Sequence, residues 1–300
     1  MTTMRVQIDG KDCEVVEGTT IFEAAQEAGI EIPRLCHREN LPATSACRLC
    51  VVEVDGAKNL SASCSGAVTN DMVISTTSDR VIQSRKLVLE LLLSDHPDSC
   101  MPEGEDRVCE LEEYGRQLGV VDRFQGEKHD YPVEDTNPFF VLDYNACILC
   151  ARCVTACNDI QMIGAIDLSS RGFDTKVATP FNRSLINSDC TFCGQCLSVC
   201  PTGAIRAKSP ASNVVKTVSS TCSYCGVGCG INIQVNDQDR IVGIQEDENN
   251  QSSTGMLCVK GRFGFNYVHS PERLTTPLIK ENGEFRPASW DEALDLVAEK

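Results

Sequence analysis

Two cysteine runs of identical spacing constrain this chain more than anything else in it. Cys147, Cys150, Cys153 and Cys157 form one C-x2-C-x2-C-x3-C run; Cys190, Cys193, Cys196 and Cys200, closed by Pro201, form the second. Close spacing lets three thiolates wrap one metal cluster from a single loop. Zinc ligands or disulfides are the alternative, and the doubled spacing with its closing proline speaks against both.

The pair of runs resembles the bacterial ferredoxin pattern for two [4Fe–4S] clusters, in which the fourth cysteine of each run serves the other run's cluster. That resemblance implies two crossed sets: Cys147, Cys150 and Cys153 with Cys200, and Cys190, Cys193 and Cys196 with Cys157. Asn158 stands where the first run would have its proline. Gly164-Ala165-Ile166 and Gly203-Ala204-Ile205 each follow a run and form the clearest internal repeat. Phe139 to Leu142 read as the opening strand, so the unit is expected over 139–208.

Nineteen cysteines in 300 residues argue for several small modules, each organised by a metal centre rather than by a large core. Aromatic residues, at 5%, are scarce enough to agree. A net charge of −16 argues against nucleic acid and anionic membrane surfaces as partners. The first residues pass straight into strand-like alternation without an apolar leader. The longest apolar run, Leu87 to Leu93, is far below the ~18 residues of a membrane span. Clustered thiols without a secretory signal lead us to expect a cytoplasmic protein with no membrane insertion.

Residues 1–78 read as a small α+β domain. Val6 and Ile8 alternate into an Asp9-Gly10 turn, and Glu14 to Val16 return, which predicts a hairpin. Thr20 and Glu23 form a capping box for a helix with Ile21, Ala24, Ala25 and Ala28 on one face. Strands are expected at Val51–Val54 and Met72–Ser75. Cys36, Cys47, Cys50 and Cys64, spaced C-x10-C-x2-C-x13-C, suit a [2Fe–2S] cluster, with zinc as the alternative. The spacing resembles the N-terminal domain of the large iron–sulfur subunit of respiratory complex I, of iron-only hydrogenases and of NAD-linked formate dehydrogenases. The resemblance implies a β-grasp fold with these four ligands. Cys13 is read as a small buried apolar residue and His37 as structural or solvated.

Ser78 to Ser94 predict a helix with Val81, Ile82, Leu89, Leu92 and Leu93 inward. It leads into His96, Cys100 and Cys109, within a helical segment over 79–119. The same families carry H-x3-C-x2-C-x5-C here for a fourth [4Fe–4S] cluster, but the middle cysteine position holds Glu103. Three outcomes stay open: Glu103 ligates, another group substitutes, or the cluster is lost. Residues 120–138 read as a polar linker punctuated by Pro132 and Pro138, with His129 exposed.

Beyond a short linker, strands are expected at Val214–Val218, Ile231–Val235 and Ile241–Ile244. Cys222, Cys225, Cys229 and Cys258, spaced C-x2-C-x3-C-x28-C, suffice for another [4Fe–4S] cluster, a zinc ribbon being the alternative. This stretch, over 214–271, resembles the pterin-proximal domain of molybdenum- or tungsten-dependent bis-pterin oxidoreductases, closest to formate dehydrogenases. By that resemblance Lys260 lies between cluster and pterin and assists electron transfer. Ser289 and Glu292 read as a capping box opening a helix that carries Ala293, Leu294, Leu296 and Val297. Residues 272–300 are taken as the start of a catalytic domain that continues in the same polypeptide or in another chain.

The expectation is therefore a multidomain α+β iron–sulfur protein: a β-grasp [2Fe–2S] domain, a helical His/Cys segment, a ferredoxin-like double [4Fe–4S] domain and a small β-rich [4Fe–4S] domain. It holds one [2Fe–2S] and three [4Fe–4S] clusters, four if the His96 site keeps one. The resemblance implies the electron-transferring part of a formate dehydrogenase. Formate would be oxidised at a molybdenum or tungsten bis-pterin guanine dinucleotide elsewhere, and electrons would leave to a flavin/NAD(P)-binding or ferredoxin-type subunit. No catalytic residue falls within these residues. Alternatives are a non-catalytic wiring subunit of a hydrogenase or dehydrogenase complex, a nitrate-type bis-pterin enzyme, or a complex I-like oxidoreductase.

Overall fold

The computed structural model describes residues 2–102, 107–120, 124–125 and 128–300. Glu103, on which one expectation turned, lies outside the described residues, as do Asp122, Gly126 and Glu127 of the linker.

Strand β1 (Thr3–Ile8) turns at Asp9-Gly10 into β2 (Lys11–Val16), with φ of +48° and +80° at the two turn residues. Positive φ at both central positions matches the right-handed twist of a hairpin, and the sequence supplies residues that tolerate it. Helix α1 (Ile21–Glu27) opens on the expected box: Glu23 N–H donates to Thr20 Oγ1, and Thr20 N–H to Glu23 Oε2. Strands β3 (Val51–Val54), β4 (Ser61–Ala62) and β5 (Met72–Ser75) complete a sheet of order β2-β1-β5-β3-β4. Only β1 and β5 run parallel. Val6, Ile8, Ile21, Phe22, Val52 and Ile74 form the core between α1 and the sheet. Cys13 packs half-buried at its margin.

Helix α2 (Asp79–Asp95) is capped by Ser78 and buries Val81, Arg85, Leu89 and Leu93. The inward row thus includes an arginine where the apolar pattern pointed to Ile82 and Leu92, both of which remain half-buried. The helix ends because Pro97 holds His96 extended, with φ −77° and ψ +141°. Helix α3 (Glu110–Gln117) starts from Cys109 and packs back on α2.

The double-cysteine unit opens on β6 (Phe140–Leu142) and closes on β9 (Ile205–Ala207), paired antiparallel. Between them lie helix α4 (Arg152–Thr155), the hairpin β7 (Asp167–Ser169) with β8 (Lys176–Ala178), and helix α5 (Gln195–Val199). The sequence repeat is a backbone repeat too. Leu149 and Ala151 have φ of +53° and +62°, and their counterparts Phe192 and Gly194 have +54° and +74°. A left-handed non-glycine residue costs about 1–2 kcal/mol. Here it turns amides toward sulfur, as where Phe192 N–H donates to Cys190 Sγ at 3.4 Å.

Strands β10 (Val214–Thr221), β11 (Gly230–Asn236) and β12 (Ile241–Glu246) form an antiparallel meander. Helix α6 (Val259–Phe263) follows, then a hairpin of β13 (Leu278–Glu281) and β14 (Glu284–Pro287), and helix α7 (Trp290–Glu299). At α7 only half of the expected box forms. Ser289 accepts from Glu292 N–H, while the Glu292 carboxylate pairs with Arg286 at 2.5 Å. No residue of α7 is buried. No helix of the described residues is long and apolar enough to cross a membrane.

Candidate metal centres

No disulfide joins any of the nineteen cysteines. In the first domain Cys36, Cys50 and Cys64 are buried and Cys47 is half-buried. Contact with Cys47 and then Cys64 pulls the Cys36 thiol well below its ordinary range, and the contacts with Cys36 push Cys47 and Cys64 up. Four sulfurs this close do not carry four negative charges unaided, so the donor set fits a bound metal cluster. Leu49 N–H points at Cys47 Sγ across 3.5 Å. The loop is braced by Arg85, 4% exposed, which donates to the carbonyls of Leu49 (3.2 Å) and Val51 (2.9 Å). Burial lowers the Arg85 pKa to about 10, still far above neutrality, so a cation sits behind the thiolate loop. Sequence reasoning passed over Arg85, although a basic residue in the i, i+4 row of Val81 and Leu89 was the available signal.

In the double unit the cysteines line two cavities. One is lined by Cys147, Cys150, Cys153 and Cys200; the other by Cys157, Cys190, Cys193 and Cys196. The chain thus brings together the crossed groupings: Cys157 lies in the helical turn Ala156–Ile160 that follows α4, and Cys200 caps the C-terminus of α5. Burial pushes the Cys147 thiol up to about 12, and the Cys200 charge adds to it. Buried thiolates of this kind need a cation, and iron–sulfur clusters meet that need.

In the third module Cys222 follows β10, Cys229 precedes β11, and Cys222 N–H donates to Cys229 O at 2.8 Å. Cys258 arrives from beyond β12 at the start of α6. The Cys229 thiol is raised by burial and by the charges of Cys222, Cys225 and Cys258, so the four lie together. Cys225, Cys258 and Lys260 are exposed, with Val227 and Tyr224 beside them on the surface.

Among the described residues, His96, Cys100 and Cys109 converge with Glu112, all four ligand atoms lying within 4.8 Å of one another. His129, expected exposed, is instead bound at both ring nitrogens, to Asp95 Oδ2 and Phe173 O at 2.7 Å each. It also stacks on Phe173, so the segment is anchored there. His37 packs edge-on against Phe22 at 5.0 Å, a structural role.

Buried arginines lock the modules together. Arg152, 3% exposed, donates to both oxygens of Glu110 (2.9 and 3.0 Å), to His37 O (3.1 Å) and to Val199 O (3.4 Å). Gln195 occupies the equivalent place in the second run and accepts from Arg262 Nη2 at 3.3 Å. Arg262 also donates to Cys193 O (3.1 Å) and Glu246 (2.8 Å), tying α6 to the second cavity's loop. Although burial opposes it, the Arg262 charge holds the Glu246 carboxyl below the usual range.

Comparison with known proteins finds four matching stretches. Residues 1–79 match the 2Fe-2S iron-sulfur cluster binding domain, and residues 146–204 the 4Fe-4S dicluster domain. Residues 215–270 match the molybdopterin oxidoreductase Fe4S4 domain, and residues 273–300 the molybdopterin oxidoreductase domain. An NADH-quinone oxidoreductase subunit of Rhizobium meliloti is 32% identical over 305 residues, covering 99% of this chain and 35% of that one. A Staphylococcus aureus protein provisionally named a formate dehydrogenase is 28% identical over 337 residues, covering 98% of this chain and 34% of that one. A crystal structure of an NAD+-reducing [NiFe]-hydrogenase superposes with TM-score 0.63 at 26% identity, covering 69% of this chain and 88% of that one. The class is an iron–sulfur electron-transfer module shared by NADH-quinone oxidoreductase, hydrogenase and formate dehydrogenase-like proteins. Within that class, the domain order is that of the N-terminal part of a molybdopterin oxidoreductase subunit. The chain spans about a third of the length of these two curated relatives.

Proposed function

We propose that this chain carries electrons for a formate dehydrogenase, between a molybdenum or tungsten bis-pterin centre and an NAD(P)-linked or ferredoxin-type partner in the cytoplasm. One observation carries the reading. The Cys222–Cys258 module, followed by the start of a molybdopterin oxidoreductase domain, is held through Arg262 against the second cavity of the double unit. Iron–sulfur clusters supply one-electron transfer when bound, and their potentials follow net charge, hydrogen bonds to sulfur and solvent exposure. The chain's own residues do the holding. The β-grasp-type first domain holds [2Fe–2S] through Cys36, Cys47, Cys50 and Cys64; the crossed sets hold two [4Fe–4S] groups; and Cys222, Cys225, Cys229 and Cys258 hold the third. The exposed edge of Cys225, Cys258 and Lys260 faces the catalytic body, with Lys260 between cluster and pterin.

The assignment is tested by dye reduction with the complete enzyme. Formate is expected to drive it; nitrate turnover without formate activity would move the chain to the nitrate-type enzymes. A second reading, a wiring subunit of a hydrogenase or dehydrogenase complex, draws on the likeness to the NAD+-reducing hydrogenase chain. Against it, about a third of this chain has no counterpart there. Stoichiometric molybdenum or tungsten in the purified complex supports the first reading, and full iron without either supports the second.

The crossed sets make a further prediction. Cys157→Ser is expected to remove the cluster built on Cys190, not the one built on its own run, and Cys200→Ser the reverse. Each would lower iron from about 14 to about 10 atoms per chain. Mössbauer and EPR spectra of the two variants should lose different signals, and loss of the same signal in both would refute the crossing.

A further inference from the structure

We infer that His96, Cys100, Cys109 and Glu112 form a site for one divalent metal ion, zinc by its donor set, in place of the four-iron cluster that the resembled families carry at this position. Among the described residues this is the group of His, Cys and carboxylate ligands that converges on the scale of a single ion. The cluster cysteines elsewhere in the chain are all described, and none of their sets gathers this way.

The distances suit one ion. Cys109 Sγ lies 3.7 Å and Glu112 Oε1 3.8 Å from His96 Nε2. A tetrahedral ion with bonds of about 2.0–2.3 Å sets its ligand atoms roughly 3.3–3.8 Å apart. A four-iron cube binds each ligand to a different iron, so its ligands spread by the iron–iron separation as well. The chemistry agrees. Two thiolates, an imidazole and a carboxylate are ordinary zinc ligands, whereas soft iron–sulfur sites take thiolates.

Burial points the same way. His96 is 2% exposed, Cys100 7% and Cys109 4%. Glu112 Oε1 is buried without a hydrogen-bond partner, so a carboxylate oxygen aims into the pocket unsatisfied. Unpaired, such an oxygen bears its full desolvation cost, which metal coordination would reverse. Local structure prepares the site. Pro97 sets the backbone of His96, Cys109 occupies the residue just before α3, and Glu112 lies three residues on, over the same face. Gly203 N–H donates to Cys100 Sγ at 3.1 Å, orienting that sulfur from the double unit. The ion would staple α2, α3 and the double unit, and zinc has no redox chemistry, so it lies off the electron path.

The test is metal analysis and zinc X-ray absorption on the complete native complex. The expected result is about one zinc beside about 14 irons per chain, with two sulfurs at about 2.3 Å and two lighter ligands at about 2.0–2.1 Å. Glu112→Cys should raise the sulfur count to three, and Glu112→Gln should cut zinc at least tenfold while iron holds. About 18 irons without zinc overturns the inference, as does absence of both zinc and extra iron, or a zinc shell of four sulfurs. So does a zinc shell that neither Glu112 variant alters. Should a variant fail to fold, its iron falls as well, and the wild-type shell decides. Formate-dependent dye reduction of the wild type is read separately, so failure of the functional assignment does not mimic failure of the zinc site.

Discussion

Arg152→Met should lower stability by about 2–4 kcal/mol and loosen three modules at once. The arginine is buried and places one guanidinium between the Glu110 carboxylate, His37 O beside Cys36, and Val199 O beside Cys200. Methionine fills similar volume but leaves an anion and two carbonyls without a donor. Breaking a buried pair from one side costs about 3–5 kcal/mol. Glu110 keeps 39% of its side chain exposed, so water recovers part of this. Thermal unfolding reads the stability. Flash reduction of the double unit, followed at the [2Fe–2S] signal, reads the coupling and should slow markedly. A variant that unfolds like the wild type and transfers electrons at the same rate would show that Arg152 is not the tie.

Gly203→Ala should be at least as damaging, about 3 kcal/mol or more, for a steric reason. A β-carbon there would lie 1.9 Å from Cys100 O and 2.5 Å from Cys100 C, both main-chain atoms that no rotamer change can move aside. Relief requires the Cys100 loop to withdraw from the double unit. That would break the Gly203 N–H bond to Cys100 Sγ and the neighbouring bond from Glu110 N–H to Pro201 O. Gly164, its counterpart in the repeat, meets nothing nearer than 3.9 Å and has φ of +67°. Gly164→Ala should therefore cost only the left-handed penalty of about 1–2 kcal/mol. Chemical denaturation of both variants checks the order; equal losses would mean the Cys100 contact is not tight.

The same two residues show where reading the chain succeeds and where it stops. The Gly-Ala-Ile repeat was visible as a pattern, yet nothing in it distinguishes Gly203, pressed on a distant loop, from Gly164, which is merely left-handed. The capping box at Thr20 and the Asp9-Gly10 hairpin were legible because each depends on neighbours within a few residues. The α7 box was half right because Arg286 competes for Glu292. His129 was misread as exposed because Asp95 and Phe173, its partners, come from 34 and 44 residues away.

By itself the sequence marks the closely spaced cysteine runs and their order along the chain, since thiolates on one loop must be closely spaced to share one cluster. Only the tertiary structure decided what lies around them. Arg85, Arg152 and Arg262 find carbonyls and carboxylates across module boundaries, and Glu112, from the following helix, turns toward His96. Spacing records which ligands a short loop can present to one metal. It carries no record of which buried charge a separate helix brings up against it, because that partner is chosen by packing and desolvation.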